Sequence, residues 1–305
     1  MKKIITWILL IILIAFILPA MLTKKFSFIE TSEGEIIENT EENEEYTYNE
    51  YGTVRLLHSK TGEVEEINID EYLLGVVSSE MPASYNEEAL KAQAVVARTY
   101  TVYLIKNNGK HENADICDDS TCCQAWISKE DRLARWDEDK REEYWNKIEN
   151  AVNSTRGEAI TYEGEIIKAF FHSNSGGKTE NVSVVWGGTD LPYLTSVETA
   201  GEDAYSQYAS EADFTKAEFE EKIKEKHPNF VINYNEEDCI KVEEYTDGDR
   251  VKTIKIGNLE LSGVEVRTIL GLRSANFSYE ITEDSIKFKV IGYGHGVRNE
   301  SDWSR

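Results

Sequence analysis

Basic residues are in short supply in this chain: 33 Lys plus Arg stand against 57 Asp plus Glu, a net charge of −24 over 305 residues. A protein held to nucleic acid by phosphate contacts needs the opposite balance, so that class of partner is excluded. Proline and cysteine are scarce as well, with four of each. Those counts exclude a proline-rich extended scaffold and a disulfide-dense secreted module. What remains suffices for a core: 40% of residues are hydrophobic and 10% aromatic, in a length that suits one large or two ordinary domains.

Acidic charge is missing altogether at the amino terminus. No acid precedes Glu30, and Ile4 to Leu22 is an uncharged run reading IITWILLIILIAFILPAML. Such a run is long enough to cross a hydrocarbon core as a helix, so residues 1–23 are expected to be a single-pass membrane anchor. A cleaved signal peptide is the rival, but no small-x-small site follows the run and Lys24-Lys25 comes straight after it. The expected arrangement is a short cytoplasmic tail with everything else on the extracytoplasmic side. From Glu30 to Glu50 there are nine Glu and no Lys or Arg, which makes residues 24–50 an expected acidic, disordered tether. Residues 51–305 are then the folded ectodomain.

Its pattern predicts an α+β fold. Val54 to His58 and Val64 to Asn68 flank a turn containing Gly62, a hairpin signal. Asp70 is positioned to cap a helix over Glu71–Ser79, which Glu80-Met81-Pro82 breaks. Ser84 with Glu87 resembles a capping box opening a long apolar helix through Ile105. This buried helix pair is expected to pack on strands from the later two-thirds of the chain, with Asp131–Ser154 as a surface helical segment.

Three groups of residues carry chemistry. Glu80 sits at a helix break between two apolar helices, where a carboxyl can be desolvated and its pKa raised for general acid work; an exposed helix-end Glu is the plain alternative. Lys91 and Arg98, on one face of the long helix, are either a solvated edge or point at a site beside Glu80. His111, Cys117, Cys122 and Cys123 lie in a loop rich in Asp and Asn, and the spacing admits tetrahedral zinc, a disulfide from Cys117, or free thiols. Cys239, far off, is left unpaired. Ser173-Asn174-Ser175-Gly176-Gly177 follows a predicted strand, Glu165–His172, and reads as a tight turn or as a loop that lets the backbone approach a polar, uncharged ligand such as a sugar. Trp186 offers a stacking platform or a core side chain.

Taken together, Ser78-Ser79-Glu80-Met81-Pro82, Ala89-Leu90-Lys91-Ala92-Gln93-Ala94, Ala97-Arg98-Thr99-Tyr100, Cys123-Gln124-Ala125-Trp126, His172 to Gly177, Pro192-Tyr193-Leu194, Leu270 to Ser274 and Gly294-His295-Gly296-Val297 resemble the stage II sporulation protein D family, in order from about Thr53 to Val297. The resemblance implies a membrane-anchored ectodomain, in the mother cell membrane facing the forespore, that acts on peptidoglycan glycan strands during engulfment. It implies lytic transglycosylation, cleaving the MurNAc–GlcNAc bond to leave 1,6-anhydro-MurNAc ends, with Glu80 as the catalyst. Some clostridial members carry a structural zinc site, which falls on His111, Cys117, Cys122 and Cys123, with Cys122 standing where relatives have His. A cell-wall amidase that strips stem peptides, and other engulfment proteins, are the implied partners.

Amidase enhancers share the domain, so a non-catalytic glycan binder that stimulates an amidase is the alternative. A zinc hydrolase, the third class, needs an open coordination position that the closed ligand set lacks. After Val297 the family pattern gives way to Arg298-Asn299-Glu300-Ser301-Asp302-Trp303-Ser304-Arg305, an expected altered or truncated carboxyl end.

Overall fold

The computed structural model describes residues 51–297. The expected anchor (1–23), tether (24–50) and altered end after Val297 lie outside the described residues. Among the described residues no helix is long and apolar enough to cross a membrane.

The predicted hairpin is present. Thr53–Leu57 (β1) pairs antiparallel with Val64–Asn68 (β2), and Ile116–Cys117 (β3) adds to β1 in parallel. Gly62 closes the turn with φ +77°, a conformation that favours a residue without Cβ. Helix α1 spans Ile69–Glu80, one residue beyond the expected end, and is capped by Asn68, whose side chain accepts from the Asp70 N–H. Asp70 is already helical and cannot cap. Helix α2, Glu87–Lys106, is likewise capped by Asn86 rather than Ser84, because Asn86 lies directly before the first helical residue and its amide reaches the Glu88 N–H.

Lys129–Arg135 (α3) and Arg141–Ser154 (α4) occupy the segment expected at the surface. The expectation holds for α3, which buries nothing, and fails for α4. Trp145, Ile148, Ala151 and Val152 recur at helical spacing as a buried apolar stripe, and Ile148, Ala151 and Val152 complete a core with Leu73, Val76, Val77, Leu90 and Ala97. Into this core α2 inserts Arg98, which is fully buried. Its guanidinium donates to the carbonyls of Val152 (3.2 Å) and Glu158 (3.3 Å) and lies 3.9 Å from Asp70. Asp70 in turn accepts from Arg156 at 2.7 Å.

The predicted strand Glu165–His172 is a strand only over Glu165–Ile166 (β5), paired with Thr161–Tyr162 (β4). Beyond it Ile167 and Ala169 bury their side chains in the first core. Val182–Trp186 forms the short helix α5. The later strands build a separate core. Ala209–Thr215 (β6), Phe277–Ile281 (β10) and Ser285–Ile291 (β11) form one antiparallel sheet in the order β10-β11-β6; Ile240–Tyr245 (β7), Val251–Ile256 (β8) and Leu259–Ser262 (β9) form another. Lys216–Lys226 (α6) and Gly263–Leu270 (α7) cover them, with Phe219, Ile223, Ile254, Val266, Ile286 and Phe288 buried between. The fold is α+β as expected, but the early helix pair packs on α4 and its own hairpin instead of on the later strands, whose apolar faces are covered by α6 and α7.

Arg98→Met should lower stability by roughly 3–5 kcal/mol, because it strips donors from buried carbonyls and leaves Asp70 a weaker ion pair. Urea unfolding of the two proteins measures this, and a loss under 1 kcal/mol would show that Arg98 is not structural.

Candidate functional site

Glu80 ends α1, and Met81 leaves the helix with φ −131° and ψ 135°, as expected of the residue before Pro82. The carboxyl is half-buried, and burial pushes its pKa above the ordinary carboxylate value. The Ala125 N–H opposes that shift by donating to Oε1 at 2.6 Å. Nothing carboxylic contributes to the shift. One oxygen is therefore fixed, and the proton belongs on the other.

The donor to Glu80 comes from the segment that carries the thiols. His111, Cys117, Cys122 and Cys123 place one ligand atom each within 4.8 Å of one another. His111 Nε2 is 3.6 Å from Cys123 Sγ and 3.8 Å from Cys122 Sγ, and the two sulfurs are 3.8 Å apart. Tetrahedral zinc with Zn–S of about 2.3 Å needs ligand separations of about 3.8 Å, so the donor set fits Zn²⁺ with all four positions filled. All four cysteines, Cys239 included, are free thiols.

Between ligand and donor, the buried Gln124 amide donates to Tyr72 Oη of α1 and Thr101 Oγ1 of α2, each at 3.0 Å. Next along, the Trp126 indole lies over Gly75 of α1, where a Cβ would sit 2.2 Å from Nε1. The Cys122–Trp126 segment is thus laid across both helices. Ala125 and Trp126 were not singled out as site residues from the sequence, although a Gly in the middle of an apolar helix signals a close approach there.

Comparison with known proteins places this arrangement. The family model described as "Stage II sporulation protein" matches residues 57–162, which contain Glu80 and all four metal-site residues. The chain is 37% identical over 237 residues to Stage II sporulation protein D of Bacillus subtilis (strain 168), covering 77% of this chain and 66% of that protein. It is 34% identical over 248 residues to Stage II sporulation protein D of Bacillus amyloliquefaciens, covering 80% and 70%. It spans about two-thirds of the length of these relatives. The chain belongs to the stage II sporulation protein D family. It is also 35% identical over 123 residues to the Amidase enhancer of Bacillus subtilis (strain 168), covering 40% of this chain and 14% of that protein.

In this family member the other predicted site residues fall in different surroundings. Lys91 is on the surface of α2, paired with Glu88 at 2.7 Å and Glu87 at 3.4 Å. Arg98 is in the core and cannot touch a ligand. In the glycine-rich loop Ser173 is exposed, but Asn174 and Ser175 are buried. Ser175 Oγ bonds Glu202 and Thr199, Asn174 accepts from the Gly176 N–H at 2.9 Å, and the Gly177 N–H donates to Glu202 at 3.1 Å. Gly176 has φ +80°, and a Cβ there would meet Ile291 Cγ2 at 3.0 Å. Both readings of this loop are partly met: it is a tight turn consumed by internal bonds, and only Ser173 and the Gly176–Gly177 backbone face outward.

Phe170 links the two ends. Its ring is 6.0 Å from Tyr100, on the side of the thiols, and 4.6 Å from Trp186. Trp186, half-exposed, also lies 4.8 Å from the half-buried His295 ring. Sequence reasoning passed over His295 and the buried Arg250–Glu180 pair (3.9 Å), whose partners are separated by 70 positions and carry no local signal.

Two outcomes are expected. Adding one equivalent of Zn²⁺ to chelator-treated full chain should raise its melting temperature, and Cys117→Ser should abolish the rise; a thermal profile indifferent to zinc would remove the metal. The second concerns pH. With its folded pKa raised above 4.5, Glu80 contributes stability that is full below that value and lost as pH rises through the folded pKa. Glu80→Gln should therefore gain on the parent in urea midpoint between about pH 4 and pH 7. A midpoint difference that does not change with pH would mean that the carboxyl is not desolvated.

Proposed function

We propose that this chain is a peptidoglycan lytic transglycosylase of sporulation, cleaving the MurNAc–GlcNAc bond of glycan strands during forespore engulfment. The observation that carries the reading is the state of Glu80: a desolvated carboxyl at a helix end, one oxygen held by a backbone N–H, with no second carboxylate acting on it. Ordinary glycosidases need two carboxyl groups because a water or an enzyme nucleophile must be managed on the far face of the sugar. In lytic transglycosylation the C6 hydroxyl of the same MurNAc attacks C1, so the nucleophile is intramolecular and already positioned.

The steps balance with one residue. Protonated Glu80 gives its proton to the glycosidic oxygen as the C1–O bond breaks, and GlcNAc leaves with a free hydroxyl. The C6 oxygen bonds to C1, its proton passes to the Glu80 carboxylate, and the acid is regenerated. No water is consumed. A pKa above the ordinary carboxylate value keeps the acid protonated nearer to neutral pH, which is what the first step requires.

His111, Cys117, Cys122 and Cys123 are proposed to hold a structural zinc, whose part is to fix the loop that presents the Ala125 N–H. Ser173 and the Gly176–Gly177 backbone are proposed sugar contacts, with Lys91 available at the surface. The ectodomain is proposed to work on the extracytoplasmic side, tethered to the membrane, beside an amidase. The likeness to the Amidase enhancer favours a second reading, in which the chain binds glycan and stimulates an amidase without cutting.

Mass analysis of glycan strands treated with the full chain separates the readings: 1,6-anhydro ends are expected, new reducing ends would indicate a hydrolase, and no new ends a binding module. Glu80→Gln should keep glycan binding and lose roughly 10²–10⁴-fold in rate. A variant keeping more than about a tenth of the rate would make Glu80 a recognition residue.

A further inference from the structure

Two guanidiniums stand at the edge of the second core: Arg250, with Glu180 at 3.9 Å, and Arg267, which has no carboxylate paired to it among the described residues. Arg250 is 3% exposed and donates to the carbonyls of Lys178, Gly248 and Ser175. Its Nε is buried without a partner. Arg267, on α7, uses its Nε on the Leu272 carbonyl at 3.4 Å, and its terminal nitrogens meet no acceptor among the described residues. The Arg267 guanidinium disfavours the charge on Arg250. Glu180 and Glu202 act on Arg250, but no carboxylate acts on Arg267, whose pKa burial lowers and only Tyr293 supports. Arg250, buried with no partner on its Nε, is costly in a low-dielectric interior, whereas Arg267 is half-buried beside it.

A cavity of about 10 Å³, partly open to solvent, lies between them. Its apolar walls include Val184, Val264 and Ala275, and Gly294 and His295 complete it. That volume admits one oxygen-sized atom. His295 supplies no charge: its Nδ1 accepts from the Val297 N–H at 3.1 Å, and burial, then Arg267 and Arg250, push its pKa down to about 4. A slot for one oxygen atom, walled in part by apolar side chains, with two cations and a neutral imidazole, suits an anionic oxygen carried on a larger ligand.

We propose that the cavity bounded by Arg250, Arg267 and His295 is a carboxylate-binding site, taking one carboxylate oxygen against the terminal nitrogens of Arg267 and the Nε of Arg250. The site is separate from the Glu80 acid and does not depend on glycan cleavage. Its carboxylate can come from an acidic sugar or from the end of a peptide.

The test uses the full chain at fixed ionic strength with acetate as the probe and acetamide and chloride as controls, followed by the His295 ring resonances and the melting temperature. Acetate is expected to move both saturably, acetamide to move neither, and chloride to compete weakly at most. Arg267→Gln should weaken acetate binding roughly tenfold or more, the loss of a charge-assisted hydrogen bond, while Arg267→Lys recovers part of it. Should Arg267→Gln fail to fold, the acetate–acetamide contrast in the parent chain still decides. N-acetylmuramic acid against N-acetylglucosamine, and D-alanyl-D-alanine against its amide, then separate the two sources. No saturable response to acetate, an equal response to acetamide or chloride, or undiminished binding by a folded Arg267→Gln would overturn the proposal.

Discussion

The hydrogen bond from the Ala125 N–H to Glu80 Oε1 joins the parts of the molecule that carry chemistry. On one side stands a carboxyl that the end of α1 leaves half-buried. On the other stands a segment anchored two residues earlier by Cys123, within the His111, Cys117, Cys122 and Cys123 cluster. The bond is short because everything around it is held: Gln124 bridges α1 and α2, and the Trp126 indole occupies the space that Gly75 leaves on α1. Moving the segment therefore changes both the position of the carboxyl and the balance between burial and hydrogen bonding that sets its pKa. On the proposed reading, a metal held by the four ligands would bear on catalysis by keeping that backbone donor in place, not by supplying an open coordination position.

Buried arginines divide the remaining work. Arg98 in the first core and Arg250 in the second spend their donors mostly on backbone carbonyls, at segment ends where no ladder partner is at hand. A planar fork of five donors suits that task better than an ammonium group. Buried with a carboxylate at 3.9 Å in each case, they also set the two cores apart from an acidic chain. Arg267 departs from this pattern, being half-buried with no carboxylate paired to it among the described residues, and that departure marks the cavity beside it as different from ordinary core electrostatics.

The hairpin, both early helices and the break at Glu80-Met81-Pro82 were legible because they are written in local periodicity and in the steric demand of proline. The candidate ligand set was legible as residue types at short spacing, but only the structure shows the thiols unbridged and gathered with an imidazole within 4.8 Å. Local reading failed where burial was decided elsewhere. The charged stretch of α4 sends its few apolar residues into the core because α1 and α2 present a matching surface. Arg98 and Ser175 look like ligand contacts in a one-dimensional pattern and turn out to be bonded inside the fold.

What the sequence by itself determined is the class of protein, the acid and its helix break, and the candidate ligand set, all of which depend on neighbours within a few positions or on ordered family motifs. Only the tertiary structure decided that Ala125 holds Glu80, that the later strands build their own core, and that Arg250 and Arg267 share a cavity. Those pairings join residues tens of positions apart, or fall on different elements. They are chosen by which apolar faces can be covered and which buried polar atoms can be satisfied at once, a competition over the whole chain that no local window contains.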